Sequence, residues 1–135
     1  MEFHRGRLFD HVHLRVADLE RSRRFYRAVL EAIGRVDAMH DGPDFFWADE
    51  LYVNQADGPV SRVHIAFQAD GEDMVRRFHE RALEAGGVDH GAPGPRSYHP
   101  GYYGAFVRDP DGNNVEAVFH GPSTRSADSV VIKPA

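Results

Sequence analysis

Two histidines and one glutamate carry the chemistry this sequence offers. His11 and His64 stand at the same place in two copies of one segment, because residues 11–34 and 64–87 align without a gap at an offset of 53. The copies share His11/His64, Arg23/Arg76, Arg24/Arg77, Phe25/Phe78, Leu30/Leu83, Glu31/Glu84, Ala32/Ala85 and Gly34/Gly87, which reads as an internal repeat. Two related modules therefore each present an imidazole from one structural position. Glu116 follows a tight turn and is flanked by Val115 and Ala117, where a carboxylate is costly to bury unless paired or bound to a cation. Together the three side chains make a two-histidine, one-carboxylate set. Such a set partly neutralises a divalent cation and leaves positions open for two substrate oxygens or an oxygen molecule. The residues also admit a plainer reading, in which each histidine is a hydrogen-bonded strand residue and Glu116 pairs with an arginine.

The elements that must position this set follow from periodicity. Val12, Leu14 and Val16 alternate with His11, His13 and Arg15, and Val63, Ile65 and Phe67 alternate with His64, Ala66 and Gln68. Each is the pattern of a strand with one face on a core, and both histidines lie on the other face. A helix follows in each copy. Asp18 is placed to cap the first, with Ser22, Phe25, Tyr26, Val29 and Ile33 on one side; the second starts near Asp70 and carries Val75, Phe78, Ala82 and Leu83. Strands are then expected at Arg35–Met39, Phe45–Ala48 and Leu51–Asn54, and again at Val88–His90, Tyr103–Arg108 and Asn114–Phe119. Asp109-Pro110-Asp111-Gly112 is the turn between the last two. The order is βαβββ twice, an α+β fold. Its curved mixed sheets carry helices on one side and leave the other side to enclose a cleft. Residues 1–135 form one domain, with modules at 8–56 and 61–120 and a polar tail at 121–135. Within that tail Val130-Val131-Ile132 is a short apolar stretch suited to a sheet edge or a partner subunit.

Composition narrows the function classes. The net charge is −5, and the Arg21, Arg23, Arg24 and Arg27 cluster is interleaved with Glu20 and Glu31 on one helix, so no nucleic-acid footprint is expected. No apolar run approaches a membrane span, and Met1-Glu2-Phe3-His4-Arg5 lacks the apolar core of a signal peptide. The absence of cysteine excludes disulfides and thiolate chemistry, and a cytoplasmic location is expected.

A second cluster, Ser97-Tyr98-His99-Pro100-Gly101-Tyr102-Tyr103-Gly104, leads into the strand before Glu116. Its His99, Tyr102 and Tyr103, with Trp47 of the first module, are candidates to line an aromatic substrate pocket. His13 shares the face of His11 and is a candidate base or hydrogen-bond donor there. Each of these residues has a structural reading beside the functional one: Tyr102 and Tyr103, for example, would pack on opposite sides of one strand.

Three stretches resemble one known family. Asp10-His11-Val12-His13-Leu14-Arg15-Val16-Ala17-Asp18-Leu19 with Ser22-x-x-Phe25-Tyr26 resembles the opening of the vicinal oxygen chelate superfamily. This group includes glyoxalase I, extradiol dioxygenases, fosfomycin-inactivating thiol transferases and bleomycin-resistance proteins. Val63-His64-Ile65-Ala66-Phe67 is similar to its second-module strand, and Asp109 to Glu116 to its C-terminal turn and ligand strand. The resemblance spans about residues 8–120. It implies paired βαβββ modules around a metal cleft, with one divalent ion (iron, manganese, nickel, cobalt or zinc) on His11, His64 and Glu116. It also implies a homodimer, often with His11 of one subunit joining His64 and Glu116 of the other. Members of the glyoxalase I type carry a fourth, carboxylate ligand. By spacing that position falls near Phe46 and Trp47, with Glu50 the nearest carboxylate. The leading functional expectation is a divalent-metal enzyme acting on vicinal oxygens of a small molecule. The alternative is a metal-free protein that sequesters a drug-like molecule, as bleomycin-resistance relatives do.

Overall fold

The computed structural model describes residues 2–135. Its elements run β1 (Val12–Val16), α1 (Leu19–Ala32), β2 (Met39–Asp41), β3 (Phe45–Ala48), β4 (Leu51–Gln55), β5 (His64–Gln68), α2 (Glu72–Glu84), β6 (Val88–Pro95), β7 (Tyr103–Arg108) and β8 (Asn114–Phe119). Two four-stranded mixed sheets result, ordered β1-β4-β3-β2 and β5-β8-β7-β6. In each, the first strand pairs in parallel with the last, and the other pairings are antiparallel. The α+β class and the two-sheet arrangement expected from the sequence are found, and α2 begins at Glu72, the repeat counterpart of Leu19.

Alternation explains why each sheet has one covered face. Leu14, Val16, Phe46 and Val53 are fully buried with Phe25 and Val29 of α1, while Val107, Val115 and Ala117 are fully buried with Val75 and Phe78 of α2. The side chains between these positions point to the opposite, open face of each sheet. Asp18 caps α1 as expected, its side chain accepting a hydrogen bond from the Arg21 amide at 3.2 Å.

Contacts between the modules fix one against the other. The Tyr26 hydroxyl, fully buried on α1, donates to Asp109 Oδ2 at 2.5 Å. Asp109 also accepts from the amides of Asp111 and Asn113 at 2.9 and 2.8 Å, so the second module's turn is organised around the carboxylate that holds the first module's helix. Burial, and then the Asp109 charge, push the Tyr26 phenol well above its ordinary range. Tyr26→Phe removes a buried bond to a charged partner and is expected to cost about 1.5–3 kcal/mol. A calorimetric melt should show this as a drop of roughly 5 to 15 °C.

Three expectations are corrected. Arg35–Met39 is not a strand: Val36–Ala38 forms a 3-10 turn, closed by the Ala38 amide on the Arg35 carbonyl at 3.0 Å, and β2 starts at Met39. The cause is Gly34 at φ +72°, after which the Arg35 amide bonds back to the Leu30 carbonyl at 2.7 Å and keeps the chain coiled. The strand expected at Val88–His90 runs on to Pro95, with irregular register between Asp89 and Gly94. It lies at the sheet edge, where prolines and bulges are tolerated. His79 on α2 is mostly covered and bonds Asp89 of β6 at 2.9 Å. Val130-Val131-Ile132 joins neither sheet and is exposed.

Candidate metal and ligand site

Glu116 sits in the middle of β8 on the face away from α2, opposite Phe106 of β7 and Ala66 of β5. It is nevertheless only 2% exposed. The Tyr102 hydroxyl closes on Oε2, and His64 Nε2 lies 2.9 Å from Oε1. Gly104 makes this closure possible, since a Cβ there would come within 3.2 Å of both Oε2 and the Tyr102 ring. Burial, and then the bond to Glu116, push the Tyr102 phenol well above its ordinary value, so it donates rather than ionises. One carboxylate oxygen is thereby committed to the protein and the other to His64. A buried carboxylate beside an imidazole nitrogen suits a divalent cation, and the cradle without a Cβ keeps the pair in place.

His11 lies beside the other sheet, immediately before β1. Its Nδ1 is 2.7 Å from Asp10 Oδ1, which leaves Nε2 free, and the side chain is 62% exposed. Carboxylate-held imidazoles of this kind are common among metal ligands. Among the described residues, no group of three or more histidine, aspartate or glutamate side chains is placed to hold a metal ion. One chain therefore brings His64 and Glu116 together and leaves His11 apart. As a pair the donors fit a cation, and among the described residues no third donor stands with them.

The β1-β4-β3-β2 sheet has an open face built of rings. His11, His13, Phe45, Trp47, Asp49 and Tyr52 line one depression. His13 Nε2 meets Asn54 Oδ1 at 2.8 Å, and with that oxygen as acceptor the ring keeps Nδ1 as a free acceptor. Trp47 lies against His40, ring planes 17° apart and centroids 4.0 Å apart, and Phe45 stacks on Tyr52 at 5.7 Å. The register also relocates the fourth-ligand position. His13 pairs with Tyr52 as its repeat counterpart Ala66 pairs with Glu116, so Tyr52, not Phe46 or Trp47, is the module-one equivalent of Glu116. Phe46 is buried in the core and Glu50 is exposed in a turn. The equivalent position holds a phenol and no carboxylate.

The Ser97–Gly104 cluster divides in two. Tyr102 packs edge-on against His99 and His120, whose stacked rings are joined from His99 Nε2 to His120 Nδ1 at 2.8 Å. Tyr103 turns to the helix side of β7, where its hydroxyl accepts from Arg76 Nη1 at 2.8 Å. Sequence reasoning passed over His40, Tyr52, Phe106 and His120. For the first three the missing signal was strand register: period-2 alternation puts each on an open face once its neighbour's pairing is known.

Comparison with known proteins agrees with this architecture. Residues 8–117 match the Glyoxalase/Bleomycin resistance protein/Dioxygenase superfamily. A glyoxalase/bleomycin resistance protein from Albidiferax ferrireducens T118 superposes with TM-score 0.68 at 27% identity, covering 82% of this chain and 97% of that one. A glyoxalase-related enzyme from Fulvimarina pelagi gives TM-score 0.65 at 23% identity, covering 90% and 100%. A glyoxalase/bleomycin resistance protein/dioxygenase family enzyme from Burkholderia phytofirmans PsJN gives 0.62 at 18%, covering 81% and 95%. No curated protein matches the sequence. With a family match across most of its length and the paired-sheet fold, the chain belongs to the Glyoxalase/Bleomycin resistance protein/Dioxygenase superfamily.

Proposed function

We propose that this protein is a divalent-metal enzyme acting on a small molecule with two neighbouring oxygens, and that it works as a homodimer. Each site would take His64 and Glu116 from one subunit and His11 from the other. The observation that carries this reading is the buried Glu116 carboxylate, tied by Tyr102 at one oxygen and facing the His64 imidazole with the other. A divalent ion held there would supply Lewis acidity toward the substrate oxygens. The side chains contribute the rest. Tyr102 holds Glu116 in one orientation, Asp10 turns the free nitrogen of His11 outward, and His13, fixed by Asn54, offers an acceptor for a substrate hydroxyl. Trp47, Phe45 and Tyr52 provide flat apolar surface for the body of the substrate. No described helix is long and apolar enough to cross a membrane, and the reading assigns the protein to the cytoplasm, in keeping with its cysteine-free sequence.

The same ring-lined face favours one other reading, a metal-free protein that sequesters a planar molecule. Metal analysis separates the two. Wild-type protein purified without an affinity tag should carry near one divalent ion per chain and His64→Ala should carry none; an empty wild type after reconstitution would leave the sequestering reading. Occupancy should also fall between pH 8 and pH 5. Only the neutral imidazole ligates, so protons compete with the cation as pH drops. A flat profile would rule out histidine ligation.

A further inference from the structure

Among the described residues three arginines are half-buried, Arg23, Arg27 and Arg96. Arg23 and Arg27 both face Asp41, at 2.6 and 2.5 Å. Arg96 alone of the three has no carboxylate among the ion pairs of the described residues; backbone carbonyls hold it instead. Its Nη1 donates to the carbonyls of Gly94 and Pro95 at 2.9 and 3.1 Å, and its Nη2 to that of Ala92 at 2.7 Å. The guanidinium lies over the Phe106 ring, 5.4 Å from its centroid. Two glycines make the berth. A Cβ at Gly91 would come within 3.3 Å of Nη2, and one at Gly94 within 3.3 Å of Nη1.

Carbonyl oxygens fix a guanidinium in place but leave its charge uncompensated. Three of its N–H groups are spent on the backbone; the Nε hydrogen and one on Nη2 have no partner among the described residues. A recess that Arg96 lines is shared with His99 and Tyr102, and its one carboxylate, Glu72, is turned to Arg76 at 3.8 Å. Phe106 links this cation to the candidate centre, since the His64 ring lies 6.0 Å from the same centroid and Glu116 is the cross-strand partner of Phe106. A fixed cation with unused fork donors, one ring away from His64 and Glu116, matches the geometry of a carboxylate.

We propose that Arg96 is a substrate-anchoring residue, and that the natural ligand of this site carries a carboxylate one aromatic width away from the oxygens presented to His64 and Glu116. This rests on the site assignment above, and its test is arranged to fail separately. Calorimetric titration with 3,4-dihydroxybenzoate and with 3,4-dihydroxybenzamide, its neutral analogue, should give wild-type protein a preference for the carboxylate of about tenfold or more. In Arg96→Gln the preference should vanish, and in Arg96→Lys, which keeps the charge but not the fork, it should persist in reduced form. Equal affinities in the wild type, no binding of either probe at millimolar concentration, or a preference undiminished in Arg96→Gln would each overturn the anchor. If Arg96→Gln does not fold, the wild-type comparison and Arg96→Lys still decide the matter. Metal content is measured on the same preparations. An Arg96-dependent preference in metal-free protein would keep the anchor while the metal reading fell, and a loaded protein without the preference would do the reverse.

Discussion

An equal mixture of His11→Ala and His64→Ala chains, refolded together, should recover metal binding that neither variant has alone. The expectation follows from where the three donors sit. His64 and Glu116 share the open face of the second sheet at 2.9 Å, whereas His11 directly precedes the first strand of the other sheet, and no third donor completes the pair among the described residues. If sites form between subunits, a mixed dimer contains one site with both mutated histidines and one with neither. Random pairing makes half the dimers mixed, so occupancy should return to about a quarter of the wild-type value. Sites formed within one chain would stay empty in the mixture, because every chain lacks one ligand. The readout is all-or-none in kind, and it needs no substrate.

Much of this architecture was legible in the residues. The alternation around His11 and His64 fixed both first strands, the i, i+3, i+4 spacing of Phe25, Tyr26 and Val29 fixed the buried stripe of α1, and Asp109-Pro110-Asp111-Gly112 marked the last turn. Those signals are local, set by the period of one element. The site is not local. Whether Tyr102 or Tyr103 reaches Glu116 depends on the pairing of β7 with β8, and Tyr52 emerges as the counterpart of Glu116 only from the pairing of β1 with β4. Arg96 was invisible for a related reason. Its stretch, Gly91-Ala92-Pro93-Gly94-Pro95, reads as a loop from composition, and the missing side chains at Gly91 and Gly94 acquire meaning only when a guanidinium fills their space. The separation of His11 from the other two donors is a tertiary fact of the same sort: the repeat places two equivalent histidines, but at two separate sheets.

Glu116→Gln should separate the role of this carboxylate in binding from any role in stability. A buried carboxylate is retained at a cost that hydrogen bonds only partly offset. In the present arrangement both of its oxygens are engaged, one by the Tyr102 hydroxyl and one by the His64 ring nitrogen. Glutamine keeps the shape. Its carbonyl can accept from Tyr102 and its amide can donate to the unprotonated form of His64 Nε2, so the metal-free protein should melt within a few degrees of wild type, a change of about 1 kcal/mol or less. Cation affinity should nevertheless fall by at least about a hundredfold, because a neutral amide is a far weaker ligand for a divalent ion than a carboxylate. A glutamate kept only to knit β8 to Tyr102 and His64 predicts instead that metal content stays unchanged in the variant. The two measurements, a melt and a metal analysis on the same metal-stripped and reloaded samples, therefore cannot both come out in favour of a purely structural Glu116 if the cation site is real.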